Sequence, residues 1–422
     1  MMNHAKQFAG QGKLSRIPAV VLSCLGAPEA DLNVVRSLGS YGVPVILLSE
    51  YTNAPASASK YCYRTVVAPM FTQRPDRLFD ALQALYEELG VKPVVFPTAD
   101  TDLHALLKLT DRINEVAISS VIDSGLTARL TDKSEFHKIA DEYKLPVPKT
   151  VPIQGDSVEQ ALQRIMGEID FPLILKPANP TAWHDPSLPD EFVGSKAMLV
   201  ENKNALECIL RQLGSCLENT LIQEFIPGDD AEHYDVHIYM GRDGKAKASY
   251  CGRKIRIYPP HAGSGCYVES VREQVLEEQA INMLQLIRYR GLANINYKRH
   301  AQTGTFRLFE INPRVSQWSI LAMRSEVNLP LYAYCDALEI GMPDCKERQY
   351  GLRYINERND LRAFKTYWRE GSWTFWKYMV TWLWRPLIMQ FWNLEDLGPV
   401  KLVVRKTMAE RLWSRSQSDV AE

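Results

Sequence analysis

The chain has 422 residues, 46% of them apolar and 23% charged, with 49 Lys and Arg against 50 Asp and Glu. That length exceeds one ordinary core and implies two or three domains, and a net charge of −1 gives no basic surface for nucleic acid. The eight Cys stand singly with no C-x-x-C pair, which matches neither a zinc spacing nor a disulfide framework and points to a reducing, cytoplasmic compartment.

Residues 1–16 are polar and basic, without the apolar core of a signal peptide. No stretch reaches the roughly 20 uncharged residues that a membrane span needs. Ala19 to Leu25 is a compact apolar run ended by Gly26, and Val43 to Leu48 is a second; Leu32, Val35 and Leu38 recur between them at helical spacing. Strand, helix and strand in this order predict a βαβ unit and a parallel sheet. Val94 to Pro97 repeats the strand signal and leads into a helix carrying Leu103, Leu106 and Leu107. Ligands of such sheets sit beyond the carboxyl ends of the strands, where Gly26, Thr98 and Asp100 stand. The same residues serve equally as a turn and a helix cap.

Leu130-Thr-Asp-Lys133 opens the next block, with Phe136, Ile139, Ala140 and Tyr143 on one helical stripe before Leu145-Pro-Val-Pro148 breaks it. Gly155 to Asp170 reads as an amphipathic helix. Phe171 to Pro177 is then an apolar strand with Lys176 embedded at its end. An ammonium there costs free energy unless it is paired, and phosphate oxygens suit a compact point charge. Asn179 to Lys196 is a Pro-rich polar connection of a length uncommon unless functional or disordered; His184 within it reads as a surface histidine. Leu221 to Ile226 forms a strand that stops at Pro227-Gly228 and is followed at once by Asp229 and Asp230, which is also ordinary turn chemistry.

Val236 to Tyr239, Ala246 to Tyr250 and Lys254 to Tyr258 predict successive antiparallel strands. Alternation puts Lys254 and Arg256 on one face, where their repulsion invites an anion; a basic edge strand is the competing reading. His261 to Gly265 reads as a flexible lid, and residues 271–290 as a helix with Val275, Leu276, Ala280, Met283, Leu284 and Ile287 on its apolar stripe. Gly291 to Lys298 and Arg307 to Arg314 predict a hairpin across a polar, Gly-bearing turn. Residues two apart share a face, so Asn296, Glu310 and Asn312 point at one spot. One carboxylate beside amide oxygens is a hard-ligand set suited to Mg²⁺.

The ordered set Lys176, Gln223-Glu-Phe-Ile-Pro-Gly228, Lys254 and Glu310-Ile-Asn-Pro-Arg314 resembles the ATP-grasp superfamily, most of all its carboxylate–amine ligases such as the D-aspartate ligases of cell-wall synthesis. The likeness runs from about residue 130 to 345. It implies an ATP-grasp fold of class α/β and α+β: a flexible tail (1–16), an N-terminal parallel α/β domain (17–129), a first nucleotide lobe (130–222), a second lobe (223–345) and an aromatic-rich helical C-terminal extension (346–422). It also implies ATP and Mg²⁺, or Mn²⁺, as cofactors. Lys133 and Lys176 would hold the α- and β-phosphates, and Gly194, Ser195 and Lys196 would close over them. Gln223 and the main chain of Glu224, Phe225 and Ile226 would meet adenine, and Asp229 or Asp230 the ribose. Lys254, Arg256 and Arg314 would neutralise the γ-phosphate and the tetrahedral oxyanion. Glu310 and Asn312, with Asn296, would carry the metal, although a second acid is usual at the position of Asn296.

The implied reaction joins a small-molecule carboxylate, an amino acid for example, to an amine through an acyl phosphate, in cell-wall or surface-glycan modification. Two alternatives stay open: a nucleotide-binding protein of the same fold without catalysis, and a kinase-like variant that releases a phosphorylated product.

From Arg353 the composition changes, and seven of the nine Trp fall between Trp368 and Trp413. Aromatic bodies flanked by Lys and Arg are what interfacial helices use. Residues 360–415 are therefore a candidate for peripheral membrane contact, with packing on the catalytic domain or a homodimer contact the favoured alternative, since so many Trp serve an ordinary core or interface.

Overall fold

In a computed structural model of the protein, the described residues are 16–407 apart from 25–26, 154, 179–182, 184–187, 194, 196, 262, 343–346 and 385. Three sheets organise the chain. The first is parallel, with β1 (Ala19–Ser23), β2 (Val45–Ser49), β3 (Cys62–Val67), β4 (Val94–Phe96) and β5 (Ile118–Ser119) in the order β3-β2-β1-β4-β5. Its central strands are buried throughout because alternate residues feed two different cores. Val21, Val45 and Leu47 face one core, and Val20, Ile46 and Leu48 face the other. Strand order reverses between β1 and β4, so the ligand-prone crevice of this sheet lies at their carboxyl ends.

The second sheet is antiparallel, with β6 (Thr150–Pro152), β7 (Leu173–Pro177), β8 (Met198–Val200) and β9 (Thr220–Glu224) in the order β6-β9-β7-β8. Helices Val158–Glu168 and Lys203–Leu213 cover one face through Ala161, Leu162, Ile165, Leu206, Leu210 and Leu213. Leu173 and Leu175 of β7 are fully buried against them, and alternation turns Lys176 to the opposite, open face.

The third sheet holds β10 (His233–Met240), β11 (Ala246–Tyr258), β12 (Ser264–Val271), β13 (Gly291–Arg299), β14 (Phe306–Asn312), β15 (Arg353–Ile355) and β16 (Leu387–Met389), in the order β14-β13-β10-β11-β12-β15-β16. Helix Gln274–Leu286 seals one face, where Leu276, Ala280 and Leu284 meet Val236, Ile238, Ile295 and Leu308. Each fully buried Leu or Ile there is worth about 1.5–3 kcal/mol, so this face is fixed and the polar residues are committed to the other one.

Several expectations change. Residues 246–258 form one long strand, not two, bulged between Lys254 and Arg256. Ser264 and Gly265 belong to β12, so the expected lid shrinks to the turn before it. The helix expected over 271–290 covers Gln274–Leu286. The C-terminal extension carries helices Glu357–Arg369 and Phe375–Leu383, and it also adds β15 and β16 to the large sheet. Two fully buried ion pairs bind the extension in place. Arg36 of the N-terminal domain lies 2.9 Å from Asp396, and Arg256 lies 2.7 Å from Asp360.

Candidate active site

The free face of the large sheet is built by register. Asp235, Asn296 and Glu310 are direct cross-strand partners on β10, β13 and β14, and His237, Asn294 and Asn312 form the next such row. Neighbours in a row project to the same side. From β11, Lys254 Nζ reaches this face and lies 2.8 Å from Asp235 Oδ1 and 2.8 Å from Asn296 Oδ1. Both partners of that ion pair are nearly inaccessible, with side chains 6% and 2% exposed. Next to them, Asn312 Nδ2 donates to Glu310 Oε1 at 2.9 Å, and Glu310 itself is exposed.

Among the described residues no group of three His, Cys, Asp or Glu is placed to hold a metal. The available set is one carboxylate with amide oxygens. Asn294 Oδ1 is buried without a hydrogen-bond partner, directly across from Asn312. An orphaned buried oxygen beside a carboxylate and a second amide fits a hard cation that keeps several waters. Asn296 behaves differently from expectation: its oxygen accepts from Lys254 and its Nδ2 is buried without a partner. Asn294, one row along the same face, presents the orphaned oxygen.

Lys176 faces this cluster from β7 of the smaller sheet. Burial pushes its ammonium down to about 8, the charge of Lys133 pushes the same way, and Glu310 opposes them. Lys133, at the start of helix Lys133–Glu142, donates to the Pro177 carbonyl at 3.5 Å. His137 of the same helix is pushed down to about 4 by burial and by Lys176. Two lysines and one carboxylate from three separate elements thus share one space, and an anion bridging the lysines would relieve their repulsion.

The remaining expected nucleotide contacts divide. Gln223 is buried on β9 and its Nε2 donates to Thr150 Oγ1 at 2.9 Å. The Glu224 amide donates to the Lys149 carbonyl at 2.8 Å, and its carboxylate accepts from the Lys149 amide at 3.0 Å. Its main-chain donor is therefore spent inside the sheet. Phe225 and Ile226 follow the end of β9, and Lys298 Nζ lies 5.1 Å from the Phe225 ring. Ser195 donates to the Ala197 carbonyl at 3.3 Å. Asp229 caps the turn at Ala231. Asp230 accepts from Tyr367 at 2.6 Å and from the His261 amide at 3.0 Å, so the extension and the β11–β12 turn occupy the carboxylate expected for ribose. Gly26, His184, Gly194 and Lys196 lie outside the described residues.

Arg256 requires the clearest correction. The bulge after Lys254 rotates it off the site face. Its guanidinium is fully buried, bonded to Asp360 at 2.7 and 3.0 Å and to Thr381 at 3.2 Å, with the rings of Tyr267, Trp373 and Tyr378 around it. Arg314, two residues beyond the end of β14, instead grips Asp100 in a bidentate pair at 2.6 and 2.9 Å. That pair holds the Asp100 carboxyl below its usual range, against the cost of burial. Asp100 starts helix Asp100–Leu107 beyond β4, so the carboxyl end of the parallel sheet is tied to the mouth of the site. Thr98 is buried beneath it, with its hydroxyl bonded to Asp31, whose carboxyl burial pushes up to about 7.

Four residues of this face escaped the sequence reading: Asp235, His237, Asn294 and Trp318. Stepping back by two from Asn296 along its expected strand gives Asn294, and His237 lies within the expected Val236–Tyr239 strand, whereas Asp235 falls just before that strand's expected start. Trp318 lies on the free face at 4.1 Å from the His237 ring, and its six-membered ring fills the space above Gly252, where a Cβ would come within 2.4 Å. Burial pushes His237 down to about 3, which keeps it neutral, and its Nε2 has no hydrogen-bond partner.

Two lobes with a parallel domain in front and converging lysines between them give this chain an ATP-grasp-like fold. Residues 264–328 match the family described as the carbamoyl-phosphate synthase L chain, ATP binding domain. The chain is 26% identical to a D-aspartate ligase of Enterococcus faecium over 312 residues, which are 71% of this chain and 73% of that one. Among solved structures, the ADP complex of an N5-carboxyaminoimidazole ribonucleotide synthetase has a TM-score of 0.58 at 13% identity, over 81% of this chain and 82% of that one. The biotin carboxylase of Campylobacter jejuni has a TM-score of 0.57 at 16% identity, over 79% and 74%.

Proposed function

We propose that this protein uses ATP to activate a carboxylate, an amino acid being the favoured class, and joins it to an amine. The observation that carries this reading is the convergence of Lys133, Lys176 and Glu310 in front of the Lys254–Asp235 pair. The acid's oxygen attacks the γ-phosphorus of ATP, the bond to ADP breaks, and an acyl phosphate forms. The amine nitrogen then attacks the acyl carbon, phosphate leaves, and the nitrogen sheds a proton to solvent.

Lys176 and Lys133 hold phosphate oxygens, and Lys254, steered by Asp235 and Asn296, neutralises charge that develops on the transferred group. Arg314, locked by Asp100 and by the Val315 carbonyl, adds its positive charge at the mouth of the site. Glu310, Asn312 and Asn294 would hold Mg²⁺ or Mn²⁺, which supplies charge neutralisation on the phosphates. The similarity to a D-aspartate ligase supports an amino-acid carboxylate, and a cell-wall or surface-glycan amine is our proposed acceptor.

The test is purified protein with ATP, Mg²⁺ and pools of amino acids, followed by assays of ADP and phosphate. Phosphate release that requires both an acid and an amine supports the ligase. ADP with a stable phosphorylated product, or nucleotide binding without turnover, overturns it.

A further inference from the structure

The C-terminal extension is half docked and half bare. Along helix Phe375–Leu383, Tyr378 and Thr381 are buried: the Tyr378 ring stacks 3.9 Å from Phe364, and Thr381 bonds Arg256. The same helix leaves Trp376 77% exposed, Leu383 73%, Val380 60% and Phe375 52%. Apolar side chains gathered in this way on one surface mark an interaction site. Between them runs an open, apolar groove of about 410 Å³ lined by Trp373, Trp376, Lys377, Val380 and Thr381.

Charge identifies the occupant. Residues 361–407 hold eight Lys and Arg against three Asp and Glu, in a chain whose net charge is −1. One of those three acids, Asp396, is already neutralised by Arg36. A second copy of the chain would bring the same positive surplus onto itself, whereas an anionic surface complements it. Exposed Trp and Leu beside Lys on a short amphipathic helix suit the boundary between lipid headgroups and acyl chains. No helix among the described residues is long and apolar enough to cross a membrane, so the contact is peripheral.

We infer that helix Phe375–Leu383 docks on an anionic lipid bilayer, its groove taking an acyl chain while Lys377 meets a headgroup phosphate. The inference does not depend on the chemistry at the lysine site.

The experiment uses the full chain with vesicles of phosphatidylcholine alone and of phosphatidylcholine with phosphatidylglycerol, read by co-sedimentation and by quenching of tryptophan with brominated lipids. Binding should require the anionic lipid and weaken with salt. Trp376→Glu with Leu383→Glu should lower partition by about tenfold or more, and Lys377→Glu by about fivefold. All three residues are exposed, so circular dichroism should be unchanged. Equal partition onto both vesicle types, or none, overturns the inference. So does concentration-dependent self-association that the Trp376→Glu, Leu383→Glu pair abolishes while vesicles are ignored, because the face then belongs to a second copy.

Discussion

Lys254 and Arg256 stand two residues apart on β11 and live in opposite worlds. Lys254 points into the free face, where Asp235 and Asn296 hold it and nucleotide phosphates would complete its surroundings. Arg256 lies across a bulge in a closed box of Asp360, Thr381 and aromatic rings contributed by the extension and β12. Both are buried cations with a carboxylate partner, so burial and pairing alone do not mark a catalytic residue. What separates them is the neighbourhood beyond the first partner. Around Lys254 there are orphaned amide atoms, a second carboxylate and a facing lysine; around Arg256 there are ring faces.

The comparison can be broken most sharply by removing charge on the site side. Glu310→Ala should lower kcat by about a thousandfold at fixed Mg²⁺, and Lys254→Met by about a hundredfold, both read as ADP release. Normal turnover in Glu310→Ala would take the metal assignment away.

Arg256→Met acts on the other side of the bulge. It should cost about 3–5 kcal/mol of stability in urea unfolding, because Asp360 is left buried and alone. The molecules that stay folded should turn over normally, and Arg256→Met with Asp360→Leu should recover most of the loss. A fall in kcat like that of Lys254→Met, in fully folded protein, would return Arg256 to the reaction.

Lys176 gives a pH signature. Burial, with the charge of Lys133, pushes its ammonium down to about 8, and only the charged form attracts phosphate. ATP affinity should therefore be flat below pH 7 and fall by about tenfold toward pH 9, as read by calorimetry. Lys176→Arg should abolish that slope, since a guanidinium stays charged throughout. Gly252→Ala acts on packing alone, since its methyl would meet the Trp318 ring. About 1–3 kcal/mol of destabilisation follows from overpacking, measurable by thermal unfolding.

The legible parts of the molecule were those set by period and punctuation. The β13–β14 hairpin, the strand ending at Lys176 and the apolar stripe of helix Gln274–Leu286 all follow from local pattern. From the same pattern come Glu310 and Asn312 on one face. The parts that were not legible depend on register or on distant chain. A single bulge moves Arg256 from one face to another, and no local residue announces it. Asp230 looks like a free turn acid until Tyr367, 137 residues away, takes it. Asn294 looks like any polar strand residue until β10 and β14 align it with His237 and Asn312.

The pair between Arg36 and Asp396 spans 360 residues and has a bearing on how the protein is made. Arg36 sits on helix Pro28–Gly39 beside the N-terminal sheet, and the carboxylate that pairs with it is not present until almost the whole chain has been synthesised. β12 likewise waits for β15 before its outer edge is paired. A version truncated ahead of residue 350 would leave that guanidinium without its carboxylate and the β12 edge open, and should emerge from cells as aggregate, not as a smaller enzyme.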